Sequence, residues 1–108
     1  MKRGLNIGEA VEALHKGERL SREGWPNAHD VFIFKQVPSE INKEIVPRMQ
    51  SLPPLVKDYF IWSFEDPKSQ INAIYYDNQV AKVSPTNMIT AYAPSIEDLF
   101  AKDWYIID

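Results

Sequence analysis

Asp30-Val31-Phe32-Ile33-Phe34-Lys35-Gln36-Val37 decides how this chain is read. Four β-formers, Val31 to Phe34, run consecutively between turn residues, the signature of a strand over 30–37. Side chains alternate across a strand, so Phe32 and Phe34 share one face, Val31 and Ile33 the other. One pair must face a core whatever the protein does. Pro38-Ser39-Glu40 ends the run.

Working toward the N-terminus, Arg19-Leu20-Ser21-Arg22 has the length and residue types of a short strand, closed by Gly24 and Pro26. Before it, Asn6-Ile7-Gly8-Glu9 opens a helix. Asn6 is placed to accept from free backbone N–H groups, with Glu9 at the reciprocal capping-box position. Ile7, Ala10, Val11 and Leu14 recur at helical spacing on one face, and Gly17 is placed to end the helix in a left-handed conformation.

Working toward the C-terminus, 41–49 is mixed and carries Pro47, and reads as irregular or partly helical. Ser51-Leu52-Pro53-Pro54 offers a Ser cap and first-turn prolines, so a helix is predicted over about 53–60, with a polar loop over 65–69. Residues 71–76 and 80–84 flank Asp77-Asn78, a pattern that predicts a β-hairpin. Pro85-Thr86-Asn87 marks a further turn, 88–92 a strand, Ser95 a cap opening a short helix to Lys102, and Trp104-Tyr105-Ile106-Ile107 a terminal strand. The expected fold class is α+β: an antiparallel sheet, an N-terminal amphipathic helix and short additional helices in a single domain over 1–108.

Composition restricts the function. The chain has 108 residues, a net charge of -3 and no cysteine. An acidic balance argues against binding a nucleic acid polymer, which calls for a basic face. No apolar run is long enough to span a membrane, and Met1-Lys2-Arg3-Gly4-Leu5-Asn6 lacks the apolar stretch of a signal peptide. With no disulfide, these features lead us to expect a cytoplasmic location. One core of this size leaves room for stabilisation by assembly.

No catalytic motif is present. The four glycines are scattered rather than gathered into a phosphate loop, His15 and His29 have no metal-ligand spacing, and no nucleophile elbow exists. Glu97 and Asp98 are adjacent, so they point to different helix faces and do not form an obvious acid–base pair; a solvated helix face is the plain reading. No enzyme, cofactor or metal is expected. What stands out instead is Tyr92-Ala93-Pro94-Ser95-Ile96-Glu97-Asp98, followed by Asp103-Trp104. An aromatic, a helix N-terminus and carboxylates lie close together there.

Several segments together carry a resemblance. They are the opening Leu5-Asn6-Ile7-Gly8-Glu9-Ala10-Val11-Glu12-Ala13-Leu14-His15-Lys16-Gly17, the turn Ser21-Arg22-Glu23-Gly24-Trp25, the strand Val31-Phe32-Ile33-Phe34, the hairpin Tyr76-Asp77-Asn78-Gln79, and Asp98-Leu99-Phe100-Ala101-Lys102-Asp103-Trp104. In this order they resemble the phage Thoeris anti-defence family, type two. Val46-Pro47-Arg48-Met49-Gln50-Ser51-Leu52-Pro53 resembles a middle segment found in a longer subgroup.

The resemblance implies a non-enzymatic sponge. Such a protein binds cyclic nucleotide immune signals, glycocyclic ADP-ribose isomers or cyclic dinucleotides, and so blocks anti-phage defence in the host cytoplasm. It also implies a homo-oligomer, a tetramer built from dimers. Tyr92 stands where many relatives have Trp, and Pro94 where a small residue is expected.

The ligand-binding set expected on this basis is Arg22, Trp25, Phe32, Tyr92, Ser95, Asp98, Asp103 and Trp104. The chemistry suits a nucleotide: aromatic faces stack on bases, Arg and backbone N–H groups hold phosphates, and carboxylates bond hydroxyls and base edges. Several of these residues also have a structural reading. Trp25 could plug the core edge and Trp104 could be core. Arg22 could pair with Glu23 or Asp103, and Asp98 could satisfy the Ser95 backbone as a helix N3 residue. The alternative function is a protein–protein module that inhibits a host factor without a small-molecule ligand.

Overall fold

The computed structural model describes residues 2–108, which gather into two compact units. The first holds the chain up to Val37 together with Asn78–Asp108, and the second is Pro38–Asp77. The chain is α+β, as its residue pattern predicts.

In the first unit, helix α1 (Ile7–His15) is followed by strands β1 (Arg19–Arg22) and β2 (Phe32–Gln36). In the second unit come β3 (Ser39–Asn42), helix α2 (Pro54–Glu65) and β4 (Ala73–Tyr76). The chain returns to the first unit with β5 (Gln79–Val83), β6 (Ile89–Ala91), helix α3 (Ile96–Phe100) and β7 (Trp104–Ile107). The five strands of the first unit form one antiparallel sheet in the order β6-β5-β2-β1-β7.

Helix α1 starts where Asn6 places it. The Asn6 side chain accepts from the Glu9 N–H at 2.9 Å, and the Glu9 carboxylate accepts from the Asn6 N–H at 3.1 Å. Gly17 follows in the left-handed region at φ 84°, where a Cβ would be strained. The helix packs Ala10, Ala13 and Leu14 against Leu20 and Ile33 of the sheet and Trp104 of β7. Val11, predicted on the same face, is instead exposed at the helix flank.

The pairings Leu20 with Ile33, Ile33 with Lys82, and Arg22 with Trp104 fix which residues share the helix-covered face. Directly paired residues point to the same side of a sheet and neighbours along a strand to opposite sides. Leu20, Arg22, Ile33, Val80, Lys82, Thr90, Trp104 and Ile106 therefore lie on one face. Phe32, Phe34, Ala81, Val83 and Tyr105 lie on the other.

Two sequence expectations fail, for one reason. The predicted hairpin across Asp77-Asn78 does not form: β4 pairs with β3, whereas β5 pairs with β2 and β6. Conversely, the stretch after Val37, read as a break and then as irregular, contains β3, which runs antiparallel to β4 with Ile41 opposite Ile74. Strand pairing is chosen by what each strand can cover, and a short polar link between two strands does not specify it. Helix α2 runs to Glu65, past the predicted end at 60, and Ser51 gives it no cap; Pro53 occupies the N-cap position with no side-chain bond. Helix α3 ends at Phe100 rather than Lys102.

Candidate functional site

Three short segments of the first unit converge on Asp98. The first is the turn after β1, closed by the Trp25 N–H donating to the Arg22 carbonyl at 3.1 Å. The second is the N-terminus of α3, where Ser95 Oγ accepts from the Asp98 N–H at 3.0 Å and Asp98 accepts from the Ser95 N–H at 3.2 Å. The third is the start of β7, where Trp104 Nε1 donates to the Asp98 carbonyl at 3.1 Å. A capping box thus fixes the Asp98 backbone and aims its carboxylate at the sheet.

Four donors meet that carboxylate. Arg22 Nη1 at 2.7 Å and Trp25 Nε1 at 3.0 Å reach Oδ1. The Tyr92 hydroxyl at 2.7 Å and the Ser95 N–H at 3.2 Å reach Oδ2. Two oxygens with about four lone-pair sites are thereby saturated. Asp98 is 6% exposed, so the solvated reading of this carboxylate gives way to a buried one. Burial pushes its carboxyl up, but the bonds from Tyr92, Arg22, Trp25 and the Ser95 backbone outweigh it and hold the group well below the usual carboxylate range. Burial, reinforced by the bond to Asp98, pushes the Tyr92 phenol above its ordinary value.

Asp103 completes the charge pattern. Arg22 Nε donates to Asp103 Oδ1 at 2.8 Å, and the Gly24 N–H donates to Oδ2 at 2.8 Å. The bond from Arg22, partly opposed by burial, lowers the Asp103 carboxyl. Arg22 is therefore shared by two carboxylates, not left open to an anion. Gly24 leaves little room at this turn: a Cβ there would stand 2.9 Å from Asp103 Oδ2 and 3.1 Å from Arg22 Nη2, so one of those side chains would have to shift. Gly24→Ala is expected to lower stability by about 1–3 kcal/mol, the usual range for overpacking. A thermal unfolding midpoint equal to that of the parent would show that the turn relaxes freely.

The aromatic residues stack edge to face. Trp25 packs on Tyr92 with ring centroids 5.9 Å apart and on Trp104 at 5.2 Å, the favoured arrangement for aromatic pairs. The Lys82 ammonium lies 4.1 Å from the Trp25 ring centroid and 5.9 Å from that of Tyr92. Beside this group opens a cleft of about 320 Å³ lined by Trp25, Pro26, Val31, Lys82, Ser84, Pro85, Met88 and Thr90.

Of the eight residues expected in the site, the structure brings seven together: Arg22, Trp25, Tyr92, Ser95, Asp98, Asp103 and Trp104. Phe32 stands apart. It lies on the opposite sheet face, with Phe34 at 6.4 Å and the Arg19 guanidinium 5.5 Å over its ring. Trp104 is fully buried in the core, and of the gathered residues only Trp25 lines the cleft. The remaining lining residues were not legible beforehand. Val80-Ala81-Lys82-Val83 alternates with no sign of which parity meets the aromatics; only the register of Lys82 against Ile33 and Thr90 decides it.

The two carboxylates set an acid limit on stability. Both have folded pKa values below their ordinary value of 3.8, so protonation favours the unfolded chain. Their contribution is complete above about pH 4 and is lost as pH falls below that value. The urea midpoint is expected to drop between pH 6 and pH 3, and less so in Asp98→Asn. Parallel profiles for parent and variant would contradict this assignment.

The family model for the Thoeris anti-defense 2-like domain matches residues 5–107. The chain is also similar to Thoeris anti-defense 2 of Bacillus phage SP01, with 30% identity over 107 residues that cover 99% of each chain. Every element of the site just described lies inside the matched span, and the chain belongs to the Thoeris anti-defense 2-like family of phage anti-defence proteins.

Proposed function

We propose that this protein is a non-enzymatic binder that sequesters a cyclic nucleotide immune signal, a glycocyclic ADP-ribose isomer or a cyclic dinucleotide. The saturated Asp98 carboxylate supports this reading most directly. A general base needs a lone pair aimed at substrate. Asp98 has four internal donors, and its depressed carboxyl is a poor proton acceptor. What the cluster offers a ligand is the partly exposed Trp25 indole, held in place by its neighbours, and a cleft near the lower end of the roughly 300–1,000 Å³ typical of ligand sites.

The test is mass spectrometry. Protein exposed to a mixture of cyclic nucleotides is washed and denatured, and the released small molecules are identified. Sequestration expects an intact cyclic nucleotide. Recovery of a cleaved product would replace the binder with an enzyme, and recovery of nothing would favour a protein–protein module.

Assembly as a homo-oligomer, a tetramer built from dimers, belongs to the same proposal. In the second unit, Leu55, Tyr59 and Trp62 follow one another at helical spacing on α2 and are 83%, 61% and 64% exposed, an apolar stripe wider than isolated exposed residues require. The same stripe is the observation that favours the alternative, a partner-binding module. Light scattering on the parent and on Trp62→Glu distinguishes them: self-assembly through α2 expects a smaller particle for the variant, and an unchanged mass removes α2 from the interface. No helix among the described residues is long and apolar enough to cross a membrane; the host cytoplasm, where such signals are made, is the proposed location.

A further inference from the structure

The cleft beside Trp25 holds one charged side chain, Lys82. Arg22, the cation expected to meet a phosphate, is engaged by Asp98 and Asp103. One guanidinium facing two carboxylates makes that cluster net negative, which repels an anion. Among the described residues, Lys82 has no carboxylate partner within ion-pair distance. Its ammonium rests over the Trp25 ring at 4.1 Å, on the aromatic surface where a base would stack. A cation–π contact is a weak hold on an ammonium that stays partly hydrated. It is therefore readily exchanged for a charge-assisted bond to a phosphate oxygen.

We infer that Lys82 is the anion-reading residue of the cleft: a ligand phosphate draws its ammonium off the Trp25 face, and a base takes the vacated surface. This rests on the reading of the site as a nucleotide binder. It assigns recognition differently from the sequence pattern, which gives the phosphate to Arg22. Thr90 lines the same cleft and offers a hydroxyl to ribose or phosphate oxygens, whereas the Ser84 hydroxyl already accepts from the Thr86 and Met88 N–H groups at 3.2 and 3.0 Å. The exchange also couples the two halves of the ligand. A nucleoside without phosphate must displace Lys82 with no new partner for it, so it binds poorly however well its base stacks.

The test uses the full chain and two commercial probes, cyclic ADP-ribose and cyclic di-GMP, by calorimetry at low and high salt. For whichever probe the parent binds, Lys82→Met is expected to weaken affinity by about tenfold or more, a single charge-assisted contact being worth that much. Lys82→Arg keeps the charge and is expected to retain most of the affinity. Salt screens the parent's binding more steeply than that of Lys82→Met. Lys82→Gln serves if the Met variant does not fold. Parent binding that is unchanged in Lys82→Met, or equally salt-dependent with and without the ammonium, overturns the role of Lys82 and leaves the nucleotide reading intact. Failure of the parent to bind either probe, together with release of no cyclic nucleotide in the mass-spectrometric test above, removes both.

Discussion

Asp98→Ala is expected to destabilise the protein by on the order of 3–5 kcal/mol, the range for removing one partner of a buried ion pair. The loss is not one contact. Arg22 Nη1, Trp25 Nε1, the Tyr92 hydroxyl and the Ser95 N–H each lose their acceptor, and an unsatisfied buried donor costs about 1–3 kcal/mol. The capping box at the start of α3 is lost with it. The side chains of Arg22 and Asp98 are 14% and 9% exposed, so water can offer only partial compensation. Asp98→Asn retains an acceptor for Arg22 and Trp25 but turns an amide donor toward the Ser95 N–H, and falls between the two. Urea unfolding reads these differences directly. A cost below about 1 kcal/mol for the alanine variant, the level of an exposed ion pair, would show that Asp98 is not the organising group.

This changes what Asp98 contributes to ligand binding. Its carboxylate reaches a ligand only by giving up one of four internal bonds. If the proposed binding function holds, a variant at this position is expected to weaken binding by releasing Trp25 and Tyr92 from their fixed orientations. Asp98 would then act as a positioning residue, its loss lowering stability and affinity together.

Trp104 separates those two quantities. Its side chain is fully buried between α1 and the sheet, so Trp104→Ala is expected to cost about 3–5 kcal/mol, as for other large-to-small core aromatics. Trp104→Phe retains most of the packing. It gives up the 3.1 Å bond from Nε1 to the Asp98 carbonyl and part of the edge-to-face contact with Trp25, at about 1–3 kcal/mol. Because the ring has no exposed surface, the Phe variant is expected to bind a nucleotide with nearly parental affinity while unfolding at lower urea. A large loss of affinity with unchanged stability would put Trp104 against the ligand and require the core to open on binding.

Much of the local structure was legible in the residues. The capping boxes at Asn6 and Ser95 depend on side chains three positions apart, and that spacing acts over one helical turn whatever surrounds it. The strand at Val31-Phe32-Ile33-Phe34 follows from β-branched and aromatic residues between breakers. The gathering of Arg22, Trp25, Tyr92, Ser95, Asp98, Asp103 and Trp104 was legible only through resemblance to a family. No spacing rule brings position 22 to positions 98 and 103.

Phe32 shows the limit from the other side. Its neighbour Ile33 is buried on the site face, and an alternating pattern of four apolar residues gives no clue to which pair that is. The hairpin expected at Asp77-Asn78 fails similarly. A turn-compatible dipeptide is satisfied equally by a connection between two sheets.

The sequence by itself determined where α1 and α3 begin, that Val31 to Phe34 is a strand, that no catalytic motif is present, and which family the pattern resembles. These depend on contacts a few residues long or on residue identity alone. Tertiary structure decided the strand partners, the face on which each side chain falls, and the roles of the charged groups. Only register places Lys82 beside Trp25, and only the convergence of β1, α3 and β7 saturates Asp98. Whether a carboxylate is a free ligand group or a buried hub depends on how many donors reach it, and those donors come from segments far apart in the chain.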